Sequence, residues 1–286
     1  MLQIGAIEIA IVSDGIVHVD AGGPFGLIPR SMYRSILEPD ANNLVPMVLH
    51  CLLIRAGGKT IVIDTGYGTK LTPKIQQIIG LTRPEGGLLD ALARLGVQPD
   101  AVDMVIDTHL HADHCGGNTR LLPDESDVQA TFPNAEYVTQ RREYEDAMRP
   151  NERTRATYLL PNYQPLVESG QMRLLEGDTE IVPGIHGVVT PGHTPGHMSI
   201  RFESQGQHGL FVSDLASYAV HFERLSWMTA YDVEPLITLE TKRLWQQWAL
   251  EHNALLIFQH DPNVLAGHLV ADGDKRRVVP TEVSVP

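Results

Sequence analysis

Positive charge, cysteine and long apolar runs are all scarce in this chain. Lys and Arg number 22 against 35 Asp and Glu, a formal net charge of -13 over 286 residues. A surface of that sign repels phosphate backbones, so nucleic-acid binding is not expected. Cys51 and Cys115 are the only two cysteines, too few for a disulfide framework. No apolar run approaches the roughly 20 residues of a membrane span. The opening stretch has no basic leader and is interrupted by Glu8 and Asp14. The expectation is a cytoplasmic protein with no membrane association and no export signal. Repeats and low-complexity linkers are also missing, so one domain over residues 1–286 is the economical reading. What the chain has in quantity is apolar residues, at 43% enough for a sizeable core, and histidine, of which there are 13.

Short β-branched runs through Ile4, Ile7, Ile9, Ile11, Val12, Ile16, Val17 and Val19 predict a hairpin that turns at Ser13-Asp14-Gly15. Residues 21–47 carry Pro24, Pro29, Pro39 and Pro46, too irregular for a regular element and long for a connector. Such a loop covers a site, joins layers or serves a homodimer interface. Two apolar runs, 48–54 and 60–64, predict a second hairpin. Leu88, Leu89, Ala91, Leu92 and Leu95 predict a helix feeding a strand at 104–106. Helix with loops is expected over 134–160, with Tyr137-Val138 as a short strand, and short strands over 172–190. A strand at 210–212, a helix over 235–252 and a closing strand over 254–258 complete the pattern. Two sets of strands, each with helices, predict an α/β fold of two sheets sandwiched between helical layers.

The chemistry concentrates in Thr108-His109-Leu110-His111-Ala112-Asp113-His114-Cys115-Gly116-Gly117, which follows the apolar strand. Residues 109 and 111 on a strand end point to one side, so two imidazoles can converge on one ion. The turn that follows can aim Asp113 and His114 at a second ion, and Gly116-Gly117 let the backbone bend tightly. Downstream apolar strands also run into ligand types: His193 in Pro191-Gly192-His193-Thr194-Pro195-Gly196-His197, Asp214 after 210–212, and His260 after 255–258. Imidazoles and carboxylates in this ratio suit two borderline-soft divalent ions, with zinc preferred and iron, manganese or cobalt accepted. Cys115 reads as a small buried residue rather than a thiolate ligand or nucleophile.

These residues resemble the metallo-β-lactamase superfamily of metal-dependent hydrolases, through the H-x-H-x-D-H motif at 109–114, Asp64-Thr65-Gly66, the H-T-P-G-H turn at 193–197, Asp214 and His260. The resemblance implies a four-layer αβ/βα sandwich with its site at the edge between the sheets. It further implies that His109, His111 and His193 hold one metal and Asp113, His114 and His260 the other. Asp214 and a hydroxide would bridge them, which makes Asp113 and Asp214 catalytic as well as ligating. Asp64 is expected to orient a ligand histidine, and His197 to serve structurally behind the ligands. Asp214 stands where true β-lactamases of the superfamily usually carry cysteine or serine, so the lactonase and esterase branches match better.

Acyl-homoserine-lactone lactonases of the superfamily carry a tyrosine three residues after the bridging aspartate; here Tyr218 stands four after it. Tyr218 and His221 are candidates to hydrogen bond the leaving oxygen. Phe25, Leu27, Met32 and Tyr33, with Phe222, Trp227, Met228 and Tyr231, are candidates for an apolar lid or cleft. Phe25, Tyr33, Tyr218, Phe222 and Trp227 are taken as substrate-binding. The expected activity is hydrolysis of a small-molecule lactone or related ester by a metal-bridging hydroxide, with aryl ester or phosphotriester cleavage as side activities. A glyoxalase II-like thioester hydrolase would need basic residues near its C-terminal end, where only Lys275, Arg276 and Arg277 stand. A non-catalytic metal-binding protein on the same fold is the other alternative, although such proteins normally lose ligands.

Overall fold

The computed structural model describes residues 1–283. Two seven-stranded sheets face each other. The first runs in the order Leu2–Ile4, Ile7–Asp20, Leu44–Ala56, Lys59–Ile63, Met104–Ile106, Glu136–Gln140, Met172–Leu175. Its early neighbours are antiparallel, and from Lys59–Ile63 onward the strands are parallel. The second follows chain order through Thr179–Val182, Ile185–Val189, Met198–Ser204, Gln207–Phe211, Leu255–Ile257, Ala266–Asp272 and Lys275–Pro280. Its one parallel pair joins Gln207–Phe211 to Leu255–Ile257.

Alternation along the strands builds the layers. Ile9 and Ile11 point inward to the core between the sheets, where they meet Ile185, Ile200, Phe202 and Phe211. Their neighbours Ala10 and Val12 point outward onto Leu88, Ala91 and Leu92 of the helix Leu88–Arg94. Leu210, Val212 and Leu256 of the second sheet carry Phe222, Trp245 and Ala249 from the helices Ala219–Glu223 and Pro235–Glu251. The result is the expected αβ/βα sandwich. No helix among the described residues is long and apolar enough to cross a membrane.

Three local expectations are corrected. The strand Ile7–Asp20 does not turn at Ser13-Asp14-Gly15; its register shifts there as a bulge, and the hairpin turn lies at Gly5-Ala6. At the bulge the Asp14 carboxylate accepts from the backbone N–H of Gly68 and Leu88 and from Arg83. The strand Leu255–Ile257 does not close the chain, because Ala266–Asp272 and Lys275–Pro280 form one more hairpin beside it. Their weak apolar alternation hides them in the sequence. Residues 21–47 hold two one-turn helices, Gly22–Phe25 and Arg30–Tyr33, and the next strand already starts at Leu44.

The parallel strands end side by side along one edge. Asp64 follows Lys59–Ile63, residues 107–114 follow Met104–Ile106, Asp214 lies just beyond Gln207–Phe211, and His260 lies just beyond Leu255–Ile257. Backbone hydrogen bonds join the sheets at this edge, from Val48 N to His260 O (3.1 Å), His50 N to Gln259 O (3.2 Å) and Met198 N to Thr108 O (3.0 Å).

Candidate metal centre

Seven side chains that the sequence spreads over 150 residues meet at this edge. His111 Nδ1 lies 3.0 Å from His109 Nε2 and 3.1 Å from His193 Nε2. His114 Nε2 lies 3.5 Å from Asp113 Oδ2 and 3.4 Å from His260 Nε2. Asp214 reaches both groups: Oδ2 is 3.2 Å from His193 Nε2 and 3.4 Å from His114 Nε2, and Oδ1 is 3.1 Å from His260 Nε2. All seven are buried except Asp113, whose side chain is 23% exposed and marks the open side.

Elements hold each ring by its far nitrogen. His114 Nδ1 donates to Asp64 Oδ2 at 3.0 Å, His193 Nδ1 to Asp232 Oδ1 at 3.0 Å, and His260 Nδ1 to the Val48 carbonyl at 2.8 Å. A neutral imidazole that donates from one nitrogen has a lone pair on the other, so all three Nε2 atoms point lone pairs into the centre. His111 Nδ1 faces two other ring nitrogens, and a single proton cannot serve both contacts. Burial, followed by the crowding of like imidazoles, pushes His109 and His111 well below the ordinary histidine range. Burial would raise Asp214, but His260, His193 and His114 hold it well below the carboxylate range. Burial would lower His114 and His193 as well, but Asp113 and Asp214 raise the first and Asp214 and Asp232 the second. Imidazoles around a carboxylate anion are the donor set that divalent metals take, with release of any ring proton on binding. The three-ligand groups His109/His111/His193 and Asp113/His114/His260 are each compact enough to hold an ion.

The backbone around the ligands is strained where it must be. Asp64 has φ 56° and Ser213, just before Asp214, has φ 49°, both in the left-handed region. Asp64 is held there by Thr108, whose N–H donates to Oδ1 at 2.8 Å and whose hydroxyl donates to Oδ2 at 2.9 Å. His197 is not among the groups that converge. Its Nδ1 donates to the Thr190 carbonyl at 3.1 Å, and its Nε2 accepts from Asp214 N at 3.2 Å, which sets the backbone of Asp214. Burial and His193 lower it to about 3, so it stays neutral. Gly116 and Gly117 act through close approach rather than left-handed turns: a Cβ on Gly117 would lie 2.3 Å from the Thr65 carbonyl oxygen.

The expected substrate residues fare differently. Tyr218 is buried and its hydroxyl donates to the Pro46 carbonyl at 3.0 Å, so it is tied to the start of the strand that holds His260. His221 is buried; its Nδ1 accepts from Tyr218 N at 3.4 Å, its Nε2 has no partner among the described residues, and burial with Lys242 lowers it to about 3. Phe25 stacks on Tyr33 at 4.1 Å and meets Tyr218 and Trp227, so these four rings form the interior of the 21–47 segment rather than an open wall. Phe222 is corrected: it packs against Phe258 in the outer core, one helical face away from that cluster. Leu27 and Met32, by contrast, are exposed. Cys115 is buried with its thiol pushed up by burial, an inert packing residue.

Asp232 and Glu143, which bond to groups at the centre, carried no signal in the sequence, and Tyr231 was expected only as an apolar lid or cleft residue. Asp232 sits in a loop before the long helix, away from any strand end, and Glu143 sits in the first turn of the helix Arg141–Met148. Tyr67 follows Asp64-Thr65-Gly66, and Tyr231 precedes Asp232. The Asp113 carboxylate bears on both hydroxyls, pushing both up after the larger effect of burial. Neither hydroxyl makes a hydrogen bond among the described residues, and adjacency to the Asp64 motif was the one signal for Tyr67.

Comparison with known proteins agrees with this fold. The sequence profile of the metallo-beta-lactamase superfamily matches residues 45–268. An N-acyl homoserine lactonase of Bacillus cereus is 29% identical over 245 residues, 82% of this chain and 89% of the relative. The crystal structure of a probable metal-dependent hydrolase from Staphylococcus aureus superposes with a TM-score of 0.87 at 29% identity, covering 99% of this chain and 100% of the other. AidC, a dizinc quorum-quenching lactonase, shares the fold with a TM-score of 0.80 at 19% identity, over 99% of this chain and 97% of its own. Because the superfamily's own profile matches residues 45–268, most of its length, the chain belongs to the metallo-beta-lactamase superfamily.

Proposed function

We propose that the chain is a dinuclear metal-dependent hydrolase that opens the ring of an acyl-homoserine-lactone-type substrate. The observation that carries this is the Asp214 carboxylate lying within reach of both three-ligand groups. Two divalent ions, zinc preferred, would supply Lewis acidity there: they polarise a carbonyl oxygen and lower the pKa of water toward neutrality. The relatives' activity supports lactones over other esters.

The chain's own residues set the stage. Asp64, Asp232 and the Val48 carbonyl hold three rings in the tautomer that ligates. Asp113 and Asp214 would offset two of four positive charges, so the centre stays cationic and attracts a partly negative oxygen. Ring opening adds water across the ester C–O bond, giving a carboxylate and a hydroxyl that needs a proton. Tyr218 is tied to Pro46, which leaves Tyr67 and Tyr231 at the Asp113 side as the hydroxyls free to hydrogen bond the substrate. In this reading residues 1–286 act as one cytoplasmic domain, and residues 21–47 cap the segment that follows Asp214.

The thioester alternative loses support. Lys275, Arg276 and Arg277 line a groove with Arg224 and Arg243 against the long helix, and no metal-ligating residue shares that groove. The test is metal content by mass spectrometry, joined to turnover of an acyl-homoserine lactone, an aryl ester, an aryl phosphotriester and a glutathione thioester. Two metals per chain and lactone turnover that disappears in Asp214→Asn and His109→Ala are expected. Lactone turnover surviving in metal-free buffer refutes the proposal, as does a fully loaded protein inert on all four.

A further inference from the structure

A glutamate at the third position of a helix ordinarily reaches back to cap its own first turn. Glu143 has that position in Arg141–Met148, yet it makes no cap there. Its side chain is fully buried and spans three other segments. Oε1 accepts from Leu110 N at 3.0 Å and from the Tyr158 hydroxyl at 2.9 Å, and Oε2 accepts from the Thr194 hydroxyl at 2.6 Å. Leu110 stands between the ligands His109 and His111, and Thr194 follows the ligand His193. The Tyr158 ring lies 5.0 Å from the His111 ring, centroid to centroid. The helix start also packs on the H-T-P-G-H turn: a Cβ on Gly196 would lie 2.3 Å from Glu143 N. The rings of the second group are held instead by the Asp64 carboxylate and the Val48 carbonyl, and Glu143 bonds to neither.

We propose that Glu143 is a positioning residue for the first ligand group, a carboxylate strap that sets the distance between the His109–His111 strand end and the His193 turn. The two segments come from different sheets, and Leu110 and Thr194 are each one residue from a ligand. A displacement at either bond therefore moves an imidazole directly. Burying a carboxylate is costly unless donors surround it, and here three do. The inference rests on the two-metal reading above.

Its test is metal affinity group by group. Apo protein is titrated with Co(II), read by visible absorption, and with Zn(II) against a competing chelator, with melting temperature of the apo form as the fold control. Glu143→Ala should weaken one of the two binding steps by roughly 10–100-fold, the range for a lost outer partner of a ligand, and leave the other step unchanged. Glu143→Gln keeps an acceptor for Leu110 N and an amide that can donate to the Thr194 oxygen, so it should recover most of the loss. Thr194→Val cuts only the bond to the His193 turn, and it serves if Glu143→Ala fails to fold; it should weaken the same step by a smaller factor. Two wild-type steps in Glu143→Ala overturn the proposal. So does an equal loss at both steps that follows the melting temperature and is not rescued by glutamine, since that marks a purely structural role. Fewer than two steps in the wild-type protein defeats the two-metal reading itself.

Discussion

Replacing Asp64 by asparagine isolates the effect of one proton's position. Asparagine has nearly the same volume and tolerates the left-handed backbone, φ 56°, that Asp64 adopts. Both carboxylate oxygens are in use, Oδ1 by Thr108 N and Oδ2 by the Thr108 hydroxyl and His114 Nδ1. If the asparagine oxygen stays on Thr108 N, its NH2 faces His114 Nδ1. The ring must then accept there and carry its proton on Nε2, the nitrogen 3.4 Å from Asp214, where a proton blocks ligation. If the amide flips, its NH2 meets the Thr108 N–H, donor against donor. A buried donor without an acceptor costs about 1–3 kcal/mol, which is roughly 5–150-fold in an equilibrium constant. Binding at the Asp113/His114/His260 group should therefore weaken by roughly 10–100-fold while the fold persists. Chelator competition reads the affinity, and long-range 1H–15N NMR reads the His114 tautomer. Wild-type affinity in Asp64→Asn, with the proton still on Nδ1, would refute the argument.

Two further outcomes concern groups outside the centre. Lys242 is fully buried and donates to the carbonyls of Trp227 (2.6 Å), His221 (3.0 Å) and Arg224 (3.4 Å), so it gathers the segment that follows Asp214 onto the long helix. Lys242→Met leaves those carbonyls without their donor and should cost about 2–4 kcal/mol in urea unfolding. Burial lowers this lysine from 10.5 to about 7. Its folded value thus lies below the unfolded one, the unfolded chain binds the extra proton between them, and this group's contribution to stability rises with pH across that window. The stability gap between wild type and Lys242→Met should be wider at about pH 9.5 than at about pH 7.5, and an equal gap would overturn the assignment. Cys51 and Cys115 are buried with thiols pushed up by burial, so neither should react with a thiol reagent until the protein unfolds. Labelling at a rate faster than unfolding would contradict the burial.

How far the sequence could be read depends on the range of the interaction involved. The helix Leu88–Arg94 and the long helix Pro235–Glu251 show in local apolar periodicity because each buries one face, and the strand Met104–Ile106 shows as an unbroken apolar run because both its faces are buried. The bulge at Ser13 to Ile16 does not, because Ser13-Asp14-Gly15 has the composition of a turn and only contacts with Gly68, Arg83 and Leu88 show that the strand continues. The final hairpin is hidden because Lys275, Arg276 and Arg277 on an edge strand look like a charged tail. Phe222 and Phe25 look alike in sequence, yet one packs under the second sheet and the other inside the 21–47 segment.

The seven candidate ligands could be picked out in the sequence by itself, since His109, His111, Asp113 and His114 crowd a strand end and the remaining three each follow an apolar strand. Local spacing is enough to pick them out, although the strand stops at Ile106 and the short helix Ala112–Cys115 is what carries Asp113 and His114. Which nitrogen of His114, His193 and His260 carries the lone pair was decided only by the tertiary structure, through Asp64, Asp232 and the Val48 carbonyl. So was the spacing between the two sheets' contributions, through Glu143 and the backbone bonds that cross the edge. A hydrogen bond between residues that lie from about 40 to more than 200 positions apart in the chain has no local pattern to announce it, and it exists only once the two sheets have packed.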